Sequence, residues 1–141
     1  MEAWEHLQPV VKNYIARACR DGLVSLSPTE QVVYLVWCYP GAINNGGHAS
    51  FFYNSYGEFA QETVAALQEL GMPEYADVLR KAIVQFPGQR VPRNIDERNR
   101  LFNSLPERAH SAMGECDSAF YALGDEALMA RLLEYWRCGA A

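Results

Sequence analysis

Three glutamates have a spacing that would place negative charge along one helix face. In a helix predicted over residues 58–70, Glu58, Glu62 and Glu69 fall within about 40° of one another around the axis. They would be spaced about 6 and 10 Å along that axis. Such carboxylates could stand in for the phosphates of a nucleic-acid strand or meet a basic protein surface. The commoner alternative is an ordinary solvated helix face.

The other residues with chemical potential form no catalytic or metal-binding pattern. The three histidines, at 6, 48 and 110, are far apart in the sequence, and His48 with Glu58 and Glu62 has no spacing typical of a zinc site. The glycine-rich NNGGHAS lacks both the Gly-Lys-Ser/Thr ending of a P-loop and the GxGxxG spacing. No GxSxG sequence marks a serine nucleophile. We therefore expect a protein without enzymatic activity, metal or cofactor.

The stretch NNGGHASFFYNSYG, residues 44–57, joins glycines to aromatic residues. Its glycines permit a tight bend, and its aromatics bury a large apolar area beside that bend. We predict that one helix folds back on another here. A cleft at the same place is the alternative, and it would be a small-ligand site. The residues of this motif or cleft are Asn44, Asn45, Gly46, Gly47, His48, Phe51, Phe52 and Asn54.

Charge is segregated along the chain, which has a net charge of −5. From Asp21 to Leu79 there are seven acidic residues and no Lys or Arg. This balance disfavours nucleic acid and anionic membranes as partners and favours a basic protein. The predicted partner-binding face consists of Glu58, Glu62, Glu69, Glu74 and Asp77.

The segment from Arg80 to Arg108 has the opposite balance, with seven bases and three acids. It is a candidate basic patch that would face the acidic stripe of a second copy and hold a homodimer. The alternative is a solvated surface with weak local ion pairs.

Length and composition predict one domain over residues 1–141, with half of the residues apolar. The four cysteines form no CxxC pair, so we expect reduced and mostly buried thiols in a cytoplasmic protein. The start MEAWEHLQPV does not resemble a signal peptide. No apolar run has the roughly 18 to 20 residues of a membrane span.

The patterns predict an all-α bundle of about six to seven helices. Ser27, Pro28 and Glu30 form a Ser-x-x-Glu capping box, and the residues that follow are apolar on every side. A helix of that kind is buried, so we predict a central helix over about residues 28–39. Pro40-Gly41 would end it.

Further helices are predicted over residues 7–20, 47–54, 58–70, 73–86, 95–105, 106–123 and 125–137. Pro9 would lie in the first turn of the first helix, and Asp125 would cap the last. In the helix that Pro73 opens, the buried stripe would be Tyr75, Leu79, Ala82, Ile83 and Phe86. Asp77 and Lys81 would pair on its outer face.

Several of these pieces resemble a bacterial family of small helical proteins, catalogued as a domain of unknown function and named for a DNA-mimic protein. The matching pieces are Asn45-Gly46-Gly47, Phe51-Phe52, Asn54-Ser55, Gly57, the helix of residues 62–67, Phe86-Pro87 and the DSAFYA of residues 117–122. The resemblance covers roughly residues 26–136. It implies an all-α fold and, for the naming member, a dimer whose acidic surface imitates duplex DNA and occupies a helix-turn-helix regulator.

Three functions follow as hypotheses. The leading one is a non-enzymatic interaction module whose acidic face binds a basic protein, with DNA mimicry as its most specific version. The second is an immunity or antitoxin-like protein that neutralises a cognate toxin. The third is an enzyme or small-ligand binder that uses the cleft near His48.

Overall fold

The computed structural model describes residues 2–140, and over this range it contains helices and no strand. The α-helices are α1 (Glu2–Asp21), α2 (Pro28–Asn44), α3 (Gly47–Tyr53), α4 (Ala60–Glu69), α5 (Pro73–Ile83), α6 (Ile95–Ser104), α7 (Glu107–Leu123) and α8 (Glu126–Ala140). Short 3₁₀ helices cover Leu23–Ser25, Ser55–Phe59 and Pro87–Gln89. The predicted all-α class is confirmed. The described range contains eight α-helices, one at each of the eight segments predicted individually, against the stated total of about six to seven.

Helix α2 lies at the centre of the molecule, as predicted. Its capping box is complete, because the Glu30 N–H donates to Ser27 Oγ at 3.2 Å and the Ser27 N–H donates to Glu30 Oε1 at 2.8 Å. α2 packs against α1, α3, α4 and α8. Its buried residues are Val32, Val33, Leu35, Val36, Tyr39, Pro40, Ala42 and Ile43.

Two prolines lie inside helices, contrary to the sequence-based boundaries. Pro40 does not end α2, which continues to Asn44 and buries Ala42 and Ile43 in its last turn. Pro9 lies within α1 because that helix begins at Glu2. A proline inside a helix removes one backbone hydrogen bond. In both cases the added turn packs against the core, and Trp4 stacks on Trp37 with ring centroids 4.0 Å apart.

An aromatic cluster joins α2, α3 and α7 and includes Phe86, three residues after the end of α5. Tyr39 makes edge-to-face contacts with Phe51 and Phe120, at centroid distances of 5.4 and 5.3 Å. Phe52 packs in the same way on Phe86 at 4.9 Å. These distances and angles are the preferred ones for aromatic pairs. The two phenylalanines of the NNGGHASFFYNSYG motif therefore belong to the core.

The acidic region differs in detail from the prediction. The helix expected from residue 58 begins at Ala60, and Glu58 lies in the preceding 3₁₀ helix. α5 ends at Ile83, although the predicted stripe of residues 75, 79, 82, 83 and 86 is buried as expected. Asp77 pairs with Arg80, one turn away, and not with Lys81.

Two of the four thiols do not fit the prediction of buried cysteines. Cys19 and Cys138 are exposed, whereas Cys116 is buried. Burial raises the pKa of the half-buried Cys38 to about 12, so this thiol stays protonated at neutral pH. Among residues 2–140, no group of three or more His, Cys, Asp or Glu side chains could hold a metal ion. In the same range, no helix is long and apolar enough to cross a membrane.

Candidate functional site

The NNGGHASFFYNSYG motif surrounds a buried hydrogen-bond network. His48 is completely buried, and both of its ring nitrogens have partners. Nδ1 lies 2.6 Å from Asp117 Oδ1, and Nε2 lies 2.7 Å from the hydroxyl of Tyr39. The backbone N–H of His48 donates to the same Asp117 oxygen at 2.8 Å. A carboxylate only accepts, so Nδ1 is the ring nitrogen that donates to it.

An Asp–His–Tyr chain is chemically able to relay a proton, but this one is closed to solvent at its centre. The His48 ring is fully covered, and burial raises the pKa of Tyr39 well above its usual value. The phenol therefore stays neutral and stabilises the core through its hydrogen bond. The alternative of an open cleft does not hold at His48 itself, because Tyr39, Asp117 and the surrounding aromatic rings fill the space.

Gly47 is needed because Asp117 approaches so closely. A Cβ atom at Gly47 would overlap the Asp117 carboxylate, and the residue has a φ of +72°. Two further bonds fasten the same bend. Asn44 Nδ2 donates to Asp125 Oδ2 at 2.9 Å, and the Tyr121 hydroxyl donates to the carbonyl of Ile43 at 2.9 Å. Asp125 directly precedes α8, as predicted for its cap, and its carboxylate also holds the end of α2.

Arg98 fixes the second half of the motif. Its side chain is completely buried, and its nitrogens donate to four backbone carbonyls. Nε reaches Phe52 O at 2.6 Å and Nη2 reaches Asn54 O at 2.7 Å. A Cβ at Gly57 would lie 2.6 Å from Arg98 Nε, so glycine leaves room for the guanidinium. Burial lowers the pKa of Arg98 from its usual value.

The remaining polar residues of the motif face solvent. Asn45 is exposed at the end of α2, Gly46 is exposed just before α3, and Asn54 is exposed after α3. The Asn54 side chain donates back to Ser50 O at 2.8 Å. These residues lie at the ends of α2 and α3, and they do not converge with His48 on one pocket.

The five acids of the predicted face differ in environment. Glu58, Glu69, Glu74 and Asp77 are exposed, whereas Glu62 is half-buried. Glu62 Oε2 accepts a hydrogen bond from Arg93 Nη2 at 2.5 Å, and Arg93 also donates to the backbone carbonyl of Glu58 at 3.1 Å. The continuous stripe of three free carboxylates is therefore broken at its middle position.

Residues 21–79 contain no Lys or Arg, but arginines from outside this segment neutralise much of its negative charge. Four of its seven acids have such a partner, in the pairs Arg20–Asp21, Arg17–Glu30, Arg93–Glu62 and Arg80–Asp77. Glu58, Glu69 and Glu74 form no ion pair within residues 2–140. We call these three residues the free acidic face.

The all-α fold extends over the described range, and a family model matches most of it. The model described as DMP19-like protein matches residues 24–138. This chain belongs to the DMP19-like protein family. The match confirms the resemblance expected over residues 26–136. No curated protein and no solved structure matches the chain significantly.

The basic segment of this DMP19-like chain is not one patch. Arg98 is buried, and Arg80 and Arg93 are paired with acids of the opposite segment. Within residues 80–108, the exposed bases that form no ion pair with another described residue are Lys81, Arg90, Arg100 and Arg108. Whether they meet a second copy stays a prediction.

Sequence reasoning missed the roles of Asp117 and Arg98 in the DMP19-like fold, although each had a signal. Asp117 lies four residues after Met113 and three before Phe120, both of which are buried on α7. Arg98 lies four residues before the buried Phe102 on α6. A charged residue in the middle of an apolar helix face indicates a buried hydrogen-bonding role.

Proposed function

We propose that this chain is a non-catalytic interaction domain that binds a basic protein surface through its free acidic face. One observation carries the proposal. Glu58, Glu69 and Glu74 are exposed and have no ion-pair partner in the described range, and they lie within a segment without Lys or Arg. Unpaired carboxylates of one sign attract a cationic partner and steer its approach.

The most specific version of the proposal is that the partner is a DNA-binding regulator and that the carboxylates occupy its DNA site. Membership of the DMP19-like family supports this version. Duplex DNA carries one charge per about 1.7 Å of its axis, and three free carboxylates on one chain fall short of that density. Mimicry therefore requires that two copies align their acidic faces.

The test is affinity capture from a lysate of the source cells at low salt. The variant Glu58→Lys/Glu69→Lys/Glu74→Lys reverses the free acidic face. The control Glu5→Lys/Glu115→Lys/Glu134→Lys makes the same change in net charge at exposed positions elsewhere. We expect wild type and the control to retain a basic protein that the reversed variant loses. Retention of the same partner by the reversed variant would overturn the proposal.

Competition with duplex DNA separates DNA mimicry from the toxin-neutralising alternative. Under mimicry, added duplex releases the captured regulator, because both ligands use one site. An immunity-like protein would retain its single partner in the presence of duplex. The second outcome would leave the acidic face as the binding site and reject mimicry.

A further inference from the structure

A groove of about 300 Å³ lies between α2 and α4, beside the free acidic face. Val32 and Leu35 of α2 and Ala66 of α4 line it, and all three side chains are nearly covered. Ala65 is exposed at its rim. The short alanines of α4 leave space at this position, so the groove has an apolar floor.

Carboxylates stand at the α4 side of this groove. Glu62 and Glu69 both line it and are seven residues apart, which corresponds to about 10 Å along the helix. None of the described residues that line the groove is Lys or Arg. An apolar floor next to the unpaired carboxylate of Glu69 and the carboxylate of Glu62, of which Arg93 uses one oxygen, is complementary to a segment that carries both apolar and cationic side chains.

Glu62 adds an independent observation. Its Oε2 is bonded to Arg93, but its Oε1 is buried and has no hydrogen-bond partner within the described residues. A buried acceptor without a donor is unfavourable, and such groups in folded proteins require an explanation. Glu62 thus keeps one carboxylate oxygen that Arg93 does not use.

We infer that the groove binds a cationic amphipathic helix of a protein partner and accepts one apolar side chain of that helix. In a helix, Lys or Arg residues at i and i+7 lie about 10 Å apart, with positions i+3 and i+4 on the same face between them. The cations would face Glu62 and Glu69 while the apolar residue enters between them. This inference rests on the proposed function and deepens it.

Two synthetic helical peptides test the inference. One has Lys at i and i+7 with Leu at i+3 and i+4, and the other has Ser in place of both Leu residues. We expect the Leu peptide to bind wild type about tenfold or more tightly than the Ser peptide, because it buries an apolar side chain. Methyl NMR of wild type should show the Leu peptide shifting the signals of Val32 and Leu35.

A groove-filling substitution gives the matched test. Ala65→Phe occupies the groove without a change in charge, and Ala127→Phe places the same ring on an exposed alanine of α8 outside it. Ala65→Phe should reduce binding of the Leu peptide to the level of the Ser peptide, and Ala127→Phe should not. Thermal denaturation checks that both variants fold.

Several results would overturn the inference. These are equal affinity of the two peptides, no binding of the Leu peptide, or unchanged binding by Ala65→Phe. Self-association of wild type that Ala65→Phe abolishes would assign the groove to a second copy instead. Capture from a lysate distinguishes failure of this inference from failure of the proposed function. If the variant with the reversed free acidic face loses the captured partner but Ala65→Phe retains it, only the groove is rejected.

Discussion

Asp117 binds His48 twice through a single oxygen, since Oδ1 accepts from the backbone N–H at 2.8 Å and from ring Nδ1 at 2.6 Å. The two residues lie 69 positions apart, on α7 and α3. His48 directly follows Asn45-Gly46-Gly47 and Asp117 opens DSAFYA, so the contact joins two of the pieces of sequence that carry the family resemblance. Their shared role is to hold α3 against α7 in the core.

Removal of the Asp117 carboxylate should destabilise the fold. Asp117→Ala leaves two donors of the buried His48 without an acceptor, which we expect to cost about 3 kcal/mol of unfolding free energy. Glu115→Ala is the control, because it removes an exposed carboxylate from the same helix. Urea denaturation measures both variants. An equal loss for the two would show that the Asp117–His48 contact contributes nothing particular.

Substitution of Gly47 should lower the free energy of unfolding by more than the strain of its left-handed backbone conformation alone. Gly71 has a similar φ of +81°, and a Cβ there would meet no atom within 4 Å. Gly71→Ala should therefore cost only the left-handed strain, about 1–2 kcal/mol. Gly47→Ala adds the overlap with Asp117, worth about 1–3 kcal/mol more. Thermal denaturation of the pair tests this difference, and equal losses would contradict the predicted overlap.

Arg98 should not tolerate replacement by another base. Arg98→Lys keeps the charge but cannot reach four carbonyls at once, so we expect a loss of about 3 kcal/mol. Arg100→Lys, at an exposed position of the same helix, should change stability by less than about 0.5 kcal/mol. Equilibrium unfolding in urea distinguishes them. If Arg98→Lys were as stable as wild type, the four carbonyl contacts would be dispensable.

The Arg17–Glu30 pair should make stability depend on acidity. The hydrogen bond from Arg17 holds the pKa of Glu30 below its usual value. The Glu30 carboxyl therefore binds a proton more tightly in the unfolded chain than in the folded one. The pair stabilises the fold above about pH 4.5, and this contribution is lost as the pH falls through the lower pKa of the folded state. Glu30→Gln should cost about 1 kcal/mol at pH 7 and less at pH 3. A pH-independent cost for Glu30→Gln would contradict the assignment.

Local sequence signals predicted most of the helices. The Ser27 capping box and the all-round apolar pattern after it identified α2 as the central helix. Pro9 and Pro40 led to wrong helix boundaries. The free-energy cost of a proline inside a helix is offset here by the tertiary packing of Leu7 and Ile43, both of which are completely buried. That packing depends on distant segments, and a local pattern does not contain it.

The candidate site was predicted less well than the fold. Helical spacing placed Glu58, Glu62 and Glu69 on one stripe, but residue 58 lies in a 3₁₀ helix and Arg93 reaches Glu62 from 31 positions away. Long-range ion pairs decide which carboxylates remain free. The same limit applies to His48, whose partner Asp117 is distant in sequence.

Salt dependence of binding to the captured partner is the most direct test of the free acidic face. The comparison is between wild type and Glu58→Gln/Glu69→Gln/Glu74→Gln, which removes the charges and keeps the side-chain shapes. We predict that wild type binds more tightly at low salt, that its Kd rises more steeply with salt, and that the two converge at high salt as charges are screened. Equal affinities and equal salt slopes for the two proteins would contradict the account.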